Sequence, residues 1–287
     1  MFWTRLISGV VLVALALLLI IPGGPVLLVS TCVISLIGLF EYYRALGLHK
    51  KPAAWVGYIF TVLYYISFLL QKEAAFSMNE KLGGQAIWWK GSSIIMLIVC
   101  LLIALLFFYV FSYPKYDIKQ IAGLFFGPMY VSVMLSYIYQ LREYTHGKYL
   151  VWLIFLTAWG CDTCAYCAGR LFGKHHMTPL LSPKKTVEGA VGGVAGAFLL
   201  NLIYMMIFRD KLTYMGTKEI IILALLSMAG ALISMVGDLA ASAIKRNVDI
   251  KDYGKLIPGH GGILDRFDSV LITAPVIYYL VTFIVIG

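Results

Sequence analysis

The chain has 287 residues, of which 61% are hydrophobic and 13% are charged, and its formal net charge is +9 at pH 7. A soluble domain of this length does not need so large an apolar fraction, so the composition excludes a soluble globular protein and indicates an integral membrane protein. The basic excess fits a membrane face that attracts anionic headgroups and polyphosphates.

Apolar runs that are long enough to cross a bilayer, at roughly 20 residues each, occur about nine times along the chain. The alternation of apolar and polar residues that a transmembrane barrel would need is absent from the sequence. The sequence therefore predicts an all-α polytopic membrane protein of about nine transmembrane helices. We place these at 5–21, 26–40, 53–70, 92–112, 119–140, 149–169, 187–208, 219–237 and 263–286.

The first apolar run follows Arg5 and ends at Pro22 without a small-residue cleavage pattern. It is therefore predicted to be a retained helix and not a removed signal peptide. With nine spans, the loops on the side of the N-terminus carry the larger share of Lys and Arg residues. The positive-inside rule then predicts a cytoplasmic N-terminus in a multi-pass protein of the plasma membrane.

The polar residues divide the chain into two regions. Residues 1–150 contain about five spans with no catalytic motif that we recognise, and residues 151–287 contain nearly all the polar groups that are costly in a membrane. We therefore expect the second region to be the catalytic one.

Three cysteines, Cys161, Cys164 and Cys167, are spaced like the start of an iron–sulfur motif. They lie within an apolar span, and no fourth cysteine follows them. Because Cys is also a common small buried residue, we favour helix packing over a metal or redox role.

Four acidic residues fall inside or at the edge of predicted spans: Asp162, Asp238, Asp265 and Asp268. Each costs at least a few kcal/mol there unless it is paired or hydrated, so each is a candidate functional residue. Clustered carboxylates with few histidines are what Mg²⁺ prefers, and we predict these four as metal ligands. The alternative is that they only form ion pairs with Lys245, Arg246 or Arg266 inside the bundle, although such pairs seldom stabilise a protein.

Two segments are candidate phosphate cradles. The loop from Pro258 to Gly262 precedes the last helix, whose exposed N–H groups suit an anion. In the segment 182–189, Thr186 is placed to cap the next helix, and Lys184 and Lys185 would repel its dipole unless an anion lay between them. The glycines that follow are spaced for close helix packing: Gly189, Gly192, Gly193 and Gly196.

The segment 242–268, SAIKRNVDIKDYGKLIPGHGGILDRFD, resembles the signature of phosphatidate cytidylyltransferases, also called CDP-diacylglycerol synthases, of the bacterial type. Residues 162–170 and 182–189 also resemble conserved blocks of that family. The resemblance covers the second half firmly, whereas the first half matches only in being a bundle of hydrophobic spans.

The resemblance implies that phosphatidate and CTP give CDP-diacylglycerol and pyrophosphate at the cytoplasmic face. It implies Mg²⁺, as one or two ions, with a second monovalent cation possible. The catalytic residues would be Asp238, Asp265, Lys245, Arg246 and His260, and the metal ligands Asp162, Asp238, Asp265 and Asp268. The residues that bind substrate would be Ser182, Lys184, Lys185, Thr186, Gly261, Gly262 and Arg266.

Within these roles, Lys184 and Lys185 would neutralise the leaving pyrophosphate, and Lys245 and Arg246 would bind the phosphatidate headgroup. A related lipid kinase, acting on a polyprenol or phytol, would instead cleave CTP at the γ-phosphate. An ion-coupled transporter would require an internal repeat, which the sequence does not show. A homodimer is compatible with the small-residue helix faces, and no nucleic-acid partner is expected.

Overall fold

The computed structural model describes residues 2–78, 86–179, 181–213, 215–259 and 261–286. Twelve α-helices and one β-hairpin make up these segments. The helices of the first half are α1 (Phe2–Ile20), α2 (Gly24–Ala45), α3 (Ala54–Met78), α4 (Ala86–Phe111), α5 (Ile118–Pro128) and α6 (Met134–Arg142). The second half contains α7 (Gly147–Leu150), α8 (Trp152–Phe155), α9 (Cys161–Phe172), β1 (His176–Thr178), β2 (Ser182–Thr186), α10 (Val187–Ile207), α11 (Thr217–Asn247) and α12 (Leu264–Ile286).

Two short π-helical turns join helices into longer spans. One, Met129–Val133, links α5 to α6, and the other, Leu156–Gly160, links α8 to α9. Among the described residues, eight helical segments are long and apolar enough to cross a membrane, and they correspond to the second to ninth predicted spans. Helix α1, of 19 residues, lies at the first predicted span. The prediction of an all-α polytopic membrane protein is confirmed.

Helix α11 extends well beyond the predicted end of its span at residue 237. Its 31 residues continue to Asn247, which corresponds to about 46 Å of helix. Asp238, Lys245 and Arg246 therefore all lie on this helix, and the loop that follows begins only after Asn247.

The β-hairpin was not among the predicted elements. Its strands are antiparallel, with His176 opposite Thr186 and Thr178 opposite Ser182. The hairpin lies between the sixth and seventh spans of the nine and carries Lys184 and Lys185 on β2. It thus presents one of the two expected phosphate-binding segments.

The chain forms two compact units. One consists of Leu28–Ser136, and the other combines Met1–Leu27 with Tyr137–Gly287. The division expected at residue 150 separates a region without a catalytic motif from the expected catalytic region. It does not refer to compact units, and it stays a prediction.

Buried hydroxyl groups pair with each other inside the unit Leu28–Ser136. Thr61 Oγ1 lies 2.7 Å from Ser132 Oγ, and Tyr64 OH lies 3.0 Å from Ser136 Oγ. Tyr43 OH donates a hydrogen bond of 2.7 Å to Leu124 O. Because hydrocarbon offers no partners for polar groups, such pairs join the spans of this unit.

In the other unit, the turn between α1 and α2 is held by two neighbouring side chains. Arg142 Nε donates to Ile20 O at 2.9 Å and Arg142 Nη2 to Ile21 O at 2.8 Å, while Glu143 Oε1 accepts from Gly24 N at 3.0 Å. A cation thus stands at the carboxyl end of α1 and an anion at the amino end of α2, as the helix dipoles favour. We call this arrangement the turn clamp.

Helices α9 and α10 pack closely through glycines. A Cβ on Gly192 would overlap Ala168, and a Cβ on Gly196 would overlap Cys164. Cys161 is fully buried in a cluster with Val194 and Ala231. The predicted close packing of the glycine stripe is confirmed, and these contacts support the packing interpretation of Cys161 and Cys164.

Candidate functional site

A cavity of about 330 Å³ lies where α9, the hairpin, the start of α10 and the middle of α11 meet. Asp162 reaches it from α9 and Asp238 from α11, while Lys184, Lys185 and Thr186 reach it from β2. Two segments identified separately in the sequence, 162–170 and 182–189, therefore line one cavity.

Two glycines, Gly169 and Gly189, line the cavity where α9 and α10 pack closely. A Cβ on Gly189 would lie 2.8 Å from Ala165 O, and a Cβ on Gly169 would lie 2.9 Å from Thr186 Oγ1. Thr186 is the N-cap of α10, since its Oγ1 accepts from Gly189 N at 3.1 Å. This confirms the predicted cap and explains why β2 passes directly into the helix at this point.

Lys185 and Asp238 form an ion pair at the cavity wall. Their Nζ and Oδ2 atoms are 2.5 Å apart, and each side chain is 25% exposed. The charge of Lys185 also acts on Asp162. A cation expected to bind pyrophosphate thus lies directly against a carboxylate expected to bind metal.

Three carboxylates lie close enough for their charges to interact. The charge of Asp238 affects both Asp162 and Asp268, and the charge of Asp162 also affects Asp268. Asp162 Oδ2 accepts from Ser269 Oγ at 3.0 Å, and Asp268, which is buried, accepts from Ser269 N at 2.8 Å. Within the described segments, no three His, Cys, Asp or Glu side chains converge closely enough to form a complete metal centre.

Asp162 is the second residue after the π turn Leu156–Gly160. Asn201 on α10 supports this turn, because its Nδ2 donates to Thr157 Oγ1 at 2.9 Å. A π turn inserts one residue into a helix and changes which side chains face the neighbouring helices. The turn therefore helps to set the face on which Asp162 lies.

Asp265 is engaged within the protein. Its Oδ1 lies 2.9 Å from Lys245 Nζ, and its Oδ2 accepts from Tyr253 N at 2.8 Å and from Gly262 N at 2.9 Å. Lys245 also lies over the ring of Tyr253, at 5.3 Å from the ring centroid. These contacts favour the ion-pair alternative for Asp265 and Lys245, and they tie the loop after α11 to the start of α12.

The glycine loop departs from the expected phosphate cradle. Its Gly262 N–H is donated to Asp265, so it does not point freely at a ligand. Gly261 has φ +89, and a Cβ on it would lie 2.8 Å from Asp265 Oδ2. Glycine is needed here both for the backbone conformation and for the approach of the carboxylate. His260 lies outside the described residues.

The remaining predicted residues lie apart from the cavity wall. Arg246 is exposed, and its Nη1 donates to Ile250 O at 3.4 Å. Arg266 acts electrostatically on Asp162, and its Nε is buried without a hydrogen-bond partner within the described segments. Ser182 pairs with Thr178 at the far end of the hairpin.

The cavity is also lined by residues that were not among the predicted site residues. Tyr166 and Arg170 line it from α9, with Arg170 Nη1 donating to Tyr166 OH at 3.2 Å, and Met177 lines it from β1. The signal for the first two was their spacing, since 162, 166 and 170 follow each other at four-residue steps on one helix face.

Comparison with known proteins identifies the family of the chain. The family model described as "Cytidylyltransferase family" matches residues 3–284. The phosphatidate cytidylyltransferase of Staphylococcus saprophyticus is 32% identical over 96% of this chain and 97% of its own length. Those of Bacillus subtilis and Haemophilus influenzae are 29% and 30% identical, over 96% and 98% of this chain and the same shares of their own. The predicted resemblance is confirmed, and the chain belongs to the cytidylyltransferase family.

Proposed function

We propose that the protein is a phosphatidate cytidylyltransferase, which joins CTP and phosphatidate to give CDP-diacylglycerol and pyrophosphate. The observation that carries the proposal is the cavity in which Lys184 and Lys185 meet Asp162 and Asp238, within a bundle of apolar helices. The names of the similar proteins support the same reaction. A lipid substrate also explains why the site of a nucleotide enzyme lies among membrane helices.

The lysines are placed to bind the triphosphate. As CTP is attacked at its α-phosphate, negative charge accumulates on the leaving pyrophosphate, and fixed cations nearby lower the energy of that state. The phosphate of phosphatidate is a monoester, and the second pKa of phosphate monoesters is about 6. This phosphate therefore already carries most of its second negative charge near neutral pH. The site therefore needs to align the substrates and neutralise charge more than to supply a strong base.

The acidic residues near the cavity fit Mg²⁺. Asp162, Asp238 and Asp268 offer only oxygen donors, which suit this hard cation. Since Mg²⁺ is usually bound through one or two carboxylates together with substrate phosphates and water, a site without a complete cage of side chains agrees with this chemistry. One or two of these aspartates, together with substrate phosphates, would hold the ion, which would supply neutralisation of phosphate charge.

The phosphatidate headgroup requires cations near the membrane surface. Arg246 is exposed at the end of α11, and Arg266 interacts with Asp162 from α12. We assign the lipid phosphate to these two arginines, and we assign Lys245 and Asp265 to holding the loop between α11 and α12. His260 and the expected monovalent cation stay predictions.

We further propose that the site faces the cytoplasm in the plasma membrane. The hairpin lies between the sixth and seventh spans and the loop 248–263 between the eighth and ninth. If all nine segments cross the bilayer, both would lie on the same side as the N-terminus. That side has the larger share of basic residues. A homodimer is a prediction that size measurement in detergent would check.

The experiment that tests the reaction uses purified protein, phosphatidate and CTP labelled at the α-phosphate. We expect label in the lipid fraction, release of pyrophosphate, and loss of both when divalent ions are chelated. Label that remains in soluble CDP, with phosphate transferred to a polyprenol or phytol, would show a lipid kinase instead. No consumption of CTP with any of these lipids would contradict both enzyme assignments and favour a transporter.

A further inference from the structure

Glu188, in the first turn of α10, binds the segment that leads into the hairpin. Its Oε2 accepts from Lys174 N at 3.1 Å and from His175 N at 3.2 Å, and its Oε1 lies 2.6 Å from His175 Nδ1. Next to it, Val187 N donates to His175 O at 2.9 Å. The residues just before β1 are thus held against the residues just after β2.

The hairpin needs such an anchor. It consists of two strands of three and five residues, and its pairing is irregular between His176 and Thr178. An isolated two-stranded hairpin is at best marginally stable in water. Because both ends of the hairpin meet at the first turn of α10, fixing them there also fixes where β2 presents its lysines.

The contacts of Glu188 differ in strength. Its two bonds to backbone N–H groups are charge-assisted, which makes them about twice as strong as neutral hydrogen bonds. The contact with His175 is weaker support, because the His175 side chain is 78% exposed and exposed ion pairs contribute little. The carboxylate's hold on the backbone is therefore the main restraint.

We propose that Glu188 is a positioning residue: it holds the β1–β2 hairpin over the cavity and so keeps Lys184 and Lys185 in place to bind CTP. This inference rests on the proposed function, in which these lysines bind the triphosphate. Glu188 touches neither substrate in this assignment. If the hairpin were loose, part of the free energy of CTP binding would be used to order it. The KM for CTP would therefore rise, while the KM for phosphatidate would change less.

The experiment compares Glu188→Ala, Glu188→Gln and His175→Ala in purified full-length protein. Each variant receives two measurements: the kinetic constants for CTP and phosphatidate, and the rate of tryptic cleavage after Lys174, which is exposed at the base of the hairpin. We expect Glu188→Ala to raise the KM for CTP by about tenfold or more, the effect of losing one hydrogen bond to a charged group, and to speed cleavage. Glu188→Gln keeps an oxygen that accepts from the backbone, so its KM for CTP and its cleavage rate should lie close to those of the wild type. Of the three variants, His175→Ala should change the KM for CTP and the cleavage rate least.

Two controls separate the possible outcomes. Glu219→Ala removes a first-turn acid from α11, and it should leave both measurements unchanged. Lys184→Ala should raise the KM for CTP without speeding cleavage after Lys174; a normal KM in this variant would contradict the proposed nucleotide site while cleavage still reports on Glu188. Wild-type cleavage and a wild-type KM for CTP in Glu188→Ala would overturn the positioning role. If Glu188→Ala does not fold, Glu188→Leu, which keeps the bulk of the side chain but has no acceptor, replaces it in the same comparison. Wild-type cleavage and a wild-type KM for CTP in that variant would overturn the positioning role.

Discussion

Asp265 is the acidic residue whose surroundings differ most from its expected role as a metal ligand. Both of its oxygens are engaged, one by Lys245 and the other by two backbone N–H groups. The side chains of Lys245 and Asp265 are 12% and 3% exposed. A buried pair of this kind makes each partner depend on the other, because removal of one leaves an uncompensated charge.

We therefore predict that Asp265→Ala destabilises the protein by about 3–5 kcal/mol, the usual result of breaking a buried ion pair. Lys245→Met should destabilise it less, since Asp265 keeps two backbone donors. Thermal unfolding in detergent measures both, and Asp252→Asn, a change of an exposed acid in the same loop, serves as the control. A wild-type melting temperature together with lost turnover in Asp265→Ala would instead support metal binding.

The sequence indicated which charged residues line the cavity better than it indicated which of them contact each other. Asp162, Asp238, Lys184 and Lys185 could be selected because charged residues are costly in apolar spans and near positive helix ends. The pairing of Lys185 with Asp238 could not be predicted, since it joins strand β2 to a helix more than fifty residues later. Spacing along one helix indicates a shared face but not what lies opposite that face.

Helices α9 and α10 form the element pair on which the cavity depends. Their contact relies on side chains that are absent, at Gly192, Gly193 and Gly196. In a membrane such small-residue contacts provide much of the packing between helices, because lipid is as apolar as the side chains themselves.

We predict that Gly196→Ala destabilises the protein by about 1–3 kcal/mol through overpacking, because its Cβ would overlap Cys164. Adding Cys164→Gly in the same chain should recover part of the loss, since it removes the obstructing atoms. Gly9→Ala is the matched control, because a Cβ at Gly9 meets no atom within 4 Å. The melting temperatures of the wild type, the two single variants and the double variant test this prediction. Equal destabilisation by Gly9→Ala and Gly196→Ala would contradict it.

The elements themselves were predictable to different degrees. Nine long apolar runs predicted nine helical spans because a bilayer demands about 20 apolar residues for each one. The hairpin was missed since strands as short as His176–Thr178 carry almost no alternating pattern. The last turns of α11 were missed because the apolar run that predicts a span ends at residue 237, whereas the helix continues to Asn247 with several polar residues.

The molecule as a whole presents loops alternately to the two sides of the membrane. Helix α11 connects the loop 208–216 to the loop 248–263, so these must lie on opposite sides if α11 spans the bilayer. In the topology that we propose from the excess of basic residues, the second loop is the cytoplasmic one.

This topology predicts the labelling of single cysteines in a background without the five native ones. Thr213→Cys and Asp252→Cys introduce thiols at exposed positions in the two loops. A membrane-impermeant maleimide applied to intact cells should label the first and not the second, and disrupting the cells should expose both. The reverse pattern in intact cells would invert the topology and place the site outside.

The turn clamp joins parts of the chain that are synthesised at different times, so it can form only some time after helices α1 and α2 have been made. Gly24 and Glu143 are 119 residues apart in the chain, and at about 5–20 residues per second the ribosome needs roughly 6–24 s to make that stretch. During this interval Arg142, which donates to the carbonyl groups at the end of α1, has not yet been made. The first two helices to leave the ribosome must therefore remain together in the membrane, with their turn unsealed, until the sequence around Arg142 arrives to close it.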